Sequence, residues 1–303
     1  MDCANMKKIK MKRFFALFAT MLLQFMGCKS VAGVHAEKTE LPEKAALKYP
    51  VVLVHGIFAH DRKNIINFWG RIPKRLQENN ITVFLGNTDA WGDYKSNAEI
   101  LKETIDRVLC ETRSEKVNII AHSKGGIDSR YLIWKYDYGD KVASLTTVAT
   151  PHRGSEIADL IYKQKIVHTK LSRKALDTFG KLYGDVNPDM YNLNHQLTTE
   201  KMKEFNESII MDSRVYYQSF YTTMKSPFDD LMYYYSYKYI KSLGGDNDGI
   251  VSEYSATWGN NVHKIAGGIS HAEIIDYKMK KISGIDIPQI YLNIIDELCK
   301  MGF

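Results

Sequence analysis

The chain has 303 residues, 45% hydrophobic, 12% aromatic and 25% charged, with 20 Gly and 7 Pro. That composition excludes a disordered or collagen-like chain and suits one large domain or two modest ones. The formal charge of +6 comes almost wholly from residues 1–36, where Lys7, Lys8, Lys10, Lys12, Arg13 and Lys29 face Asp2 alone; the nearly neutral remainder has no strong pull on DNA or RNA, and no nucleic-acid partner is expected.

The basic stretch Lys7–Arg13 precedes Phe14–Met26, an apolar run broken only by Thr20 and Gln24. Such a run is short for a permanent membrane span and suits a signal-peptide core. Residues 1–36 are therefore expected to be an export leader, and 37–48 a linker into a domain at 49–303. Two processing sites stay open. Gly27-Cys28 reads as a lipoprotein site that would leave Cys28 acylated and the protein membrane-anchored. Val34-His35-Ala36 reads roughly as small-x-small, giving a secreted protein. With Cys3 and Cys28 in or beside the leader, Cys110 and Cys299 remain, either as one disulfide or as two buried thiols. No Cys/His spacing resembles a zinc site, and no later apolar run reaches the length of a span.

Val51-Val52-Leu53-Val54, Ile81–Leu85, Val117–Ala121 and Val142–Ala149 read as strands without polar alternation, as in a parallel sheet covered on both faces. Helices are expected over Phe68–Gln77, Ala98–Cys110 and Gly125–Tyr136. Strand and helix alternate, which predicts an α/β class, a doubly wound, mostly parallel sheet. The beat stops after Pro151. Residues 152–245 read as an inserted cap or lid over one end of the sheet, with patchy helix over Ser155–Tyr183, helix over Thr199–Ile210 and a strand at Val215–Tyr221. The aromatic run Tyr233–Tyr239 is suited to coat a surface or line a cleft. The sheet pattern resumes at Ile250-Val251 and Val262–Ala266. A last helix starts at Asp286-Ile287-Pro288, with Asp as cap.

The chemistry centres on Ala121-His122-Ser123-Lys124-Gly125-Gly126, between a buried strand and a helix. Small-x-Ser-x-Gly in that setting is a nucleophile elbow: a turn so tight that its neighbours must be small, exposing the Ser123 hydroxyl at the sheet's carboxyl edge. A serine needs a base to take its proton, and in this architecture the acid and then the histidine follow it in the chain. Of His152, His168, His195, His263 and His271, only His271 sits in a flexible loop after the last strand, behind Gly267-Gly268-Ile269-Ser270. Asp248, just before Gly249 and the resumed apolar run, is the candidate acid, with Asp246 as fallback. The oxyanion needs two backbone N–H donors, assigned to Lys124 and Ile57. The Lys124 ammonium is expected in solvent, and His55 and His263 are expected to be structural.

These residues resemble the bacterial triacylglycerol lipases of the α/β-hydrolase fold, in particular the pseudomonad-like group, over about Tyr49 to Tyr277. The resemblance rests on Pro50–Gly56, Ala121–Gly126, Thr150-Pro151-His152-Arg153-Gly154-Ser155, Tyr216-Tyr217 and Asn247-Asp248-Gly249. It implies the triad Ser123, Asp248 and His271 with Ile57 and Lys124 as oxyanion donors. It also implies an exported serine hydrolase cleaving carboxylic esters of lipids, such as triacylglycerols, through an acyl-serine. A carboxylesterase acting on short soluble esters is the nearest alternative, and a non-catalytic envelope binding protein on the same scaffold the more distant one. The chemistry requires no cofactor. The family commonly holds a structural calcium through an Asp two positions after the histidine; that position is Glu273 here. Its disulfide is not recognisable, since no Cys lies between 111 and 298. The partners implied are a lipid or ester substrate and a membrane or lipid-droplet surface, the latter suggested by lysines 163, 165, 170, 174 and 181 in the lid segment.

Overall fold

The run Val51–Val54 forms strand β1 with all four side chains buried. Val51 and Leu53 enter one apolar layer, Val52 and Val54 the opposite one. No solvent face exists on which a polar residue could alternate. The computed structural model describes residues 47–58 and 67–303, within the compact unit Ala46–Phe303. The expected leader 1–36, Cys28 and most of the linker 37–48 lie outside the described residues.

After β1 come α1 (Ile72–Glu78), β2 (Val83–Leu85), α2 (Tyr94–Thr112), β3 (Val117–His122), α3 (Lys124–Tyr136) and β4 (Val142–Val148). Helices α4 (Glu156–Tyr162), α5 (Lys170–Tyr183), α6 (Met190–Gln196) and α7 (Thr199–Ser208) precede β5 (Tyr216–Tyr221). The chain ends through α8 (Tyr234–Ser242), α9 (Glu253–Ala256), β6 (Val262–Lys264) and α10 (Ile287–Lys300). The strand order is β2-β1-β3-β4-β5-β6 with every pair parallel. On one face Ile72 and Leu76 of α1 and Tyr291, Ile295 and Leu298 of α10 cover Leu53 and Ile120. On the other, Leu101, Ile105 and Val108 of α2 and Leu132 of α3 cover Val52, Val54 and Ile119. The chain runs from β1 outward to β2, then returns to place β3 on the other side of β1. The carboxyl ends of β1 and β3 thus flank a topological switch point, where open α/β sheets leave a crevice for ligands.

Three expectations change. The block 152–245 is not one insertion, because β5 returns to the sheet between β4 and β6; α4–α7 and the α8 segment are separate excursions. Ile250-Val251 is not a strand: Asn247 and Ser252 form an isolated bridge around it, and its amides bind Asp248 instead. Asp286 stands at the start of α10 but makes no cap hydrogen bond; its carboxylate pairs with Arg71 and Arg75. Cys110 is exposed, Cys299 half-buried, and no disulfide joins them. Among the described residues no helix is long and apolar enough to cross a membrane.

Two loops near the switch point are clasped reciprocally. Asp89 accepts the amides of Val186 (3.0 Å) and Asn187 (2.7 Å), while Asp185 accepts those of Ala90 (3.0 Å) and Trp91 (2.7 Å). The chain following α5 is thereby fastened to the loop following β2.

His55, His122 and His152 are buried around the sheet. Burial holds His55 down to about 4, and drives His122 and His152 well below the ordinary histidine range, with His271 and Arg130 respectively adding to the effect. A histidine depressed in the folded state protonates first in the unfolded chain. Its stabilising contribution is complete above the unfolded value of about 6.5 and is lost as pH falls towards the folded value. Unfolding free energies from denaturant titration should therefore fall between pH 6.5 and 4, by about 1.4 kcal/mol per pH unit for each such histidine. The variant His152→Gln, which cannot protonate, should show a slope smaller by one proton.

Candidate active site

Strand β3 ends at His122 and α3 begins at Lys124, so Ser123 alone turns the chain, at φ 53° and ψ −128°. That conformation is sparsely populated for a residue with a Cβ and persists only where packing enforces it. A Cβ on Gly56 would stand 2.8 Å from the Ser123 Cβ; on Gly125, 2.6 Å from the carbonyl oxygens of Val54 and His55; on Gly126, 2.3 Å from Thr150 Oγ1. The elbow is also tied on both sides of the serine, whose amide donates to Val148 O (2.9 Å) and whose carbonyl accepts from Thr150 Oγ1 (2.8 Å).

The structure brings Ser123, His271 and Asp248 together. His271 Nε2 lies 3.0 Å from Ser123 Oγ, and Nδ1 lies 2.7 Å from Asp248 Oδ2. All three residues are buried. Asp248 Oδ1 accepts from the amides of Ile250 (3.0 Å) and Val251 (2.8 Å), and its backbone carbonyl accepts from the His271 amide (2.9 Å). With its carboxylate so held, Nδ1–H donates to Asp248 and the Nε2 lone pair faces the serine hydroxyl, the arrangement a general base needs. Asp246, the fallback acid, is exposed and pairs with Lys241. The Gly56–Ile57 peptide runs against the elbow. Lys124 opens α3, where an amide has no carbonyl of its own helix to bind. Gly56, which precedes Ile57, and Lys124 thus both adjoin Ser123.

The Lys124 side chain departs from expectation. Its ammonium is buried, not solvated, pairing with Asp128 Oδ2 at 2.6 Å and reaching Asp89 O at 3.3 Å. Burial raises the Asp128 carboxyl in spite of that pairing. The other histidines singled out in the sequence are engaged elsewhere. His55 Nδ1 lies 2.7 Å from Gly56 O. His152 lies between Arg130 and Thr147 Oγ1 and stacks on Trp258 at 4.5 Å. His263 stacks on Phe220 at 4.5 Å. His168 and His195 cluster with Tyr162 among the helices before β5.

One neighbour of the base was not read from the sequence. His122, the variable residue of the elbow pentapeptide, donates from Nε2 to the His271 carbonyl (3.0 Å), with the two rings 4.7 Å apart. Its position directly before Ser123 was the only available signal. Glu273 is also occupied differently from the calcium reading. Its Oε1 pairs with Lys278 Nζ at 2.5 Å and its Oε2 accepts from the Ser270 amide at 2.9 Å. Among the described residues no three His, Cys, Asp or Glu are grouped to hold a metal ion. Glu273, engaged by the Lys278 ammonium and the Ser270 amide, offers no free carboxylate oxygen to a calcium ion.

Residues 50–223, more than half of the chain, match the family model described as palmitoyl protein thioesterase. A triacylglycerol lipase of Pseudarthrobacter phenanthrenivorans is 34% identical over 176 residues, covering 54% of this chain and 54% of that protein. Triacylglycerol lipase 2 of Saccharomyces cerevisiae is 28% identical over 270 residues, covering 78% and 75%. The chain spans about half the length of the bacterial lipase. In fold it is similar to a Bacillus licheniformis lipase in mature form, with TM-score 0.62, 20% identity, and 85% and 96% of the two chains covered. It is likewise similar to a metagenomic carboxyl esterase, with TM-score 0.67, 16% identity, and 90% and 82% covered.

If the three side chains act as a relay, Asp248→Asn should slow phosphonylation of Ser123 by a nitrophenyl organophosphate about a thousandfold or more, because the imidazole is then held in the wrong tautomer. Asp246→Asn should leave that rate unchanged. Equal effects of the two variants would overturn the assignment of the acid.

Proposed function

The chain belongs to the palmitoyl protein thioesterase family and has the α/β-hydrolase fold, and on that premise we propose that it is a serine hydrolase cleaving carboxylic esters of lipids through an acyl-serine intermediate. The observation that carries the reading is the unbroken hydrogen-bond chain from Ser123 through His271 to Asp248 at the switch point of the sheet. In the reaction, His271 Nε2 takes the hydroxyl proton as Ser123 Oγ attacks the acyl carbonyl. The amides of Ile57 and Lys124 receive the oxyanion, and Asp248 stabilises the imidazolium. His271 then returns the proton to the departing alkoxide. A water activated by the same nitrogen releases the fatty acid and frees the serine. No step calls on a cofactor.

The outer face of α5 supports a lipid surface as the place of work. The helix turns Phe179 inward towards Trp91, while Leu171 and Leu182, 81% and 77% exposed, alternate outward with Lys174 and Lys181. Apolar side chains set among lysines match an anionic acyl–water boundary. The basic and apolar run at the N-terminus supports export, secreted or anchored through Cys28. The family description favours a second reading, a long-chain acyl thioester. The same relay would attack it, with a thiolate in place of the alkoxide.

Leaderless protein assayed on nitrophenyl esters from acetate to palmitate, on emulsified triacylglycerol and on an S-palmitoyl thioester should prefer long acyl esters and lose all activity in Ser123→Ala. Activity confined to short esters would replace this reading with a soluble carboxylesterase, and a strong thioester preference with the second reading. Leu171→Ser/Leu182→Ser should lower the rate on emulsion about thirtyfold, at roughly 1 kcal/mol per leucine withdrawn from lipid, and spare the soluble ester.

A further inference from the structure

The loop that carries His271 is fastened by a charge cluster that the reaction above does not use. Ser270, the residue before the base, donates its amide to Glu273 Oε2 at 2.9 Å and its hydroxyl to Asp230 Oδ2 at 2.8 Å. Glu273 and Asp230 are both buried. Lys278 spans them, with Nζ 2.5 Å from Glu273 Oε1 and 3.3 Å from Asp230 Oδ2. The Tyr277 hydroxyl also donates to Asp230 Oδ2, at 3.3 Å. Asp230 belongs to the segment before α8, so the cluster crosslinks two stretches distant in sequence.

Buried carboxylates this close destabilise one another unless a cation lies between them. The His271 loop depends on the outcome, because it has few other restraints on that side. Gly267 and Gly268 precede it, Gly268 at φ +92°, and the approach is held by Gly268 N to Thr223 O (2.7 Å) and Thr222 Oγ1 to Ile269 O (3.2 Å), with longer contacts from Thr222 Oγ1 to Ala266 O (3.4 Å) and Ser283 Oγ to Gly268 O (3.5 Å). Asp248 and His122 fix the ring and the carbonyl of His271. Ser270 fixes where its backbone enters, and it can do so only while both acids keep their places.

We propose that Lys278 is a positioning residue for His271: a tethered cation that holds Asp230 and Glu273 around Ser270 and so does, from within the chain, the work that a structural calcium does in the lipases the sequence resembles. The proposal rests on the reading of Ser123 and His271 as nucleophile and base. It explains why Glu273 retains a carboxylate two positions after the histidine without forming a metal site. It also makes the geometry of the base independent of divalent cations.

The test compares wild type, Lys278→Met and Lys278→Arg. For each, phosphonylation of Ser123 by a nitrophenyl organophosphate is timed, kcat and KM are measured on a soluble nitrophenyl ester, and melts are run with calcium chloride and with EDTA. Wild type should be indifferent to both additions in rate and in Tm. Lys278→Met should lose about tenfold to a hundredfold in phosphonylation rate and kcat with KM little changed, as expected of a base shifted by a fraction of an ångström to an ångström, and Lys278→Arg should recover most of the loss. Should Lys278→Met not fold, Lys278→Met/Glu273→Gln relieves the repulsion and is read the same way. A wild-type Tm raised by calcium, or a methionine variant phosphonylated at the wild-type rate, would overturn the proposal. Wild type that is phosphonylated yet cleaves no ester would sink the substrate reading alone, while wild type inert to the organophosphate would remove the nucleophile and this proposal with it.

Discussion

The site is built on one residue having to do what several usually share. Ser123 by itself turns the chain from β3 into α3, in a backbone conformation that a Cβ resists. The resistance is overcome by packing. Three glycines let β1, its following loop and the turn after β4 close around the serine at distances no side chain would permit. Because the turn is rigid, the hydroxyl projects from the sheet at a fixed point, and the rest of the machinery is arranged to meet it there.

Everything that meets it arrives from loops at the carboxyl ends of the strands, and each is restrained twice. Asp248 uses one oxygen on His271 and the other on two amides of its own turn, so the carboxylate cannot swing away from the imidazole. His271 is held by ring, amide and carbonyl. On the far side of the elbow, buried Lys124 and Asp128 form an ion pair one helical turn apart, stiffening the first turn of α3, whose leading amide is assigned to the oxyanion. A buried pair of this kind adds little net stability; its contribution lies in fixing the geometry of the turn.

Legibility in the sequence followed the range of the interaction. The elbow could be read because its constraint is local: residues 121–126 must be small where the chain is crowded. The doubly wound sheet could be read because strands buried on both faces have no polar alternation. Asp248 and His271 followed from chain order and their turn-rich surroundings. What could not be read was settled through space. Nothing near Lys124 in sequence announces that Asp89 O and Asp128 enclose its ammonium. Nothing near His122 in sequence reveals its partner, because the His271 carbonyl lies 149 residues away. Ile250 and Val251 have strand-like side chains, yet their amides serve Asp248, and a local need overrode propensity. Val215–Tyr221 was legible as a strand, but its membership of the central sheet was not, because four helices separate it from β4.

The reciprocal clasp between Asp89 and Asp185 joins the chain after α5 to the loop after β2. Four amides and two carboxylates are satisfied in one exchange, and pulling the loops apart would leave all of them searching for partners at once. The trailing end of α5 is accordingly the stationary edge of the helices that precede β5, fixed to a loop whose Asp89 carbonyl also receives the Lys124 ammonium. One exchange therefore ties the placement of those helices to the first turn of α3, directly after Ser123.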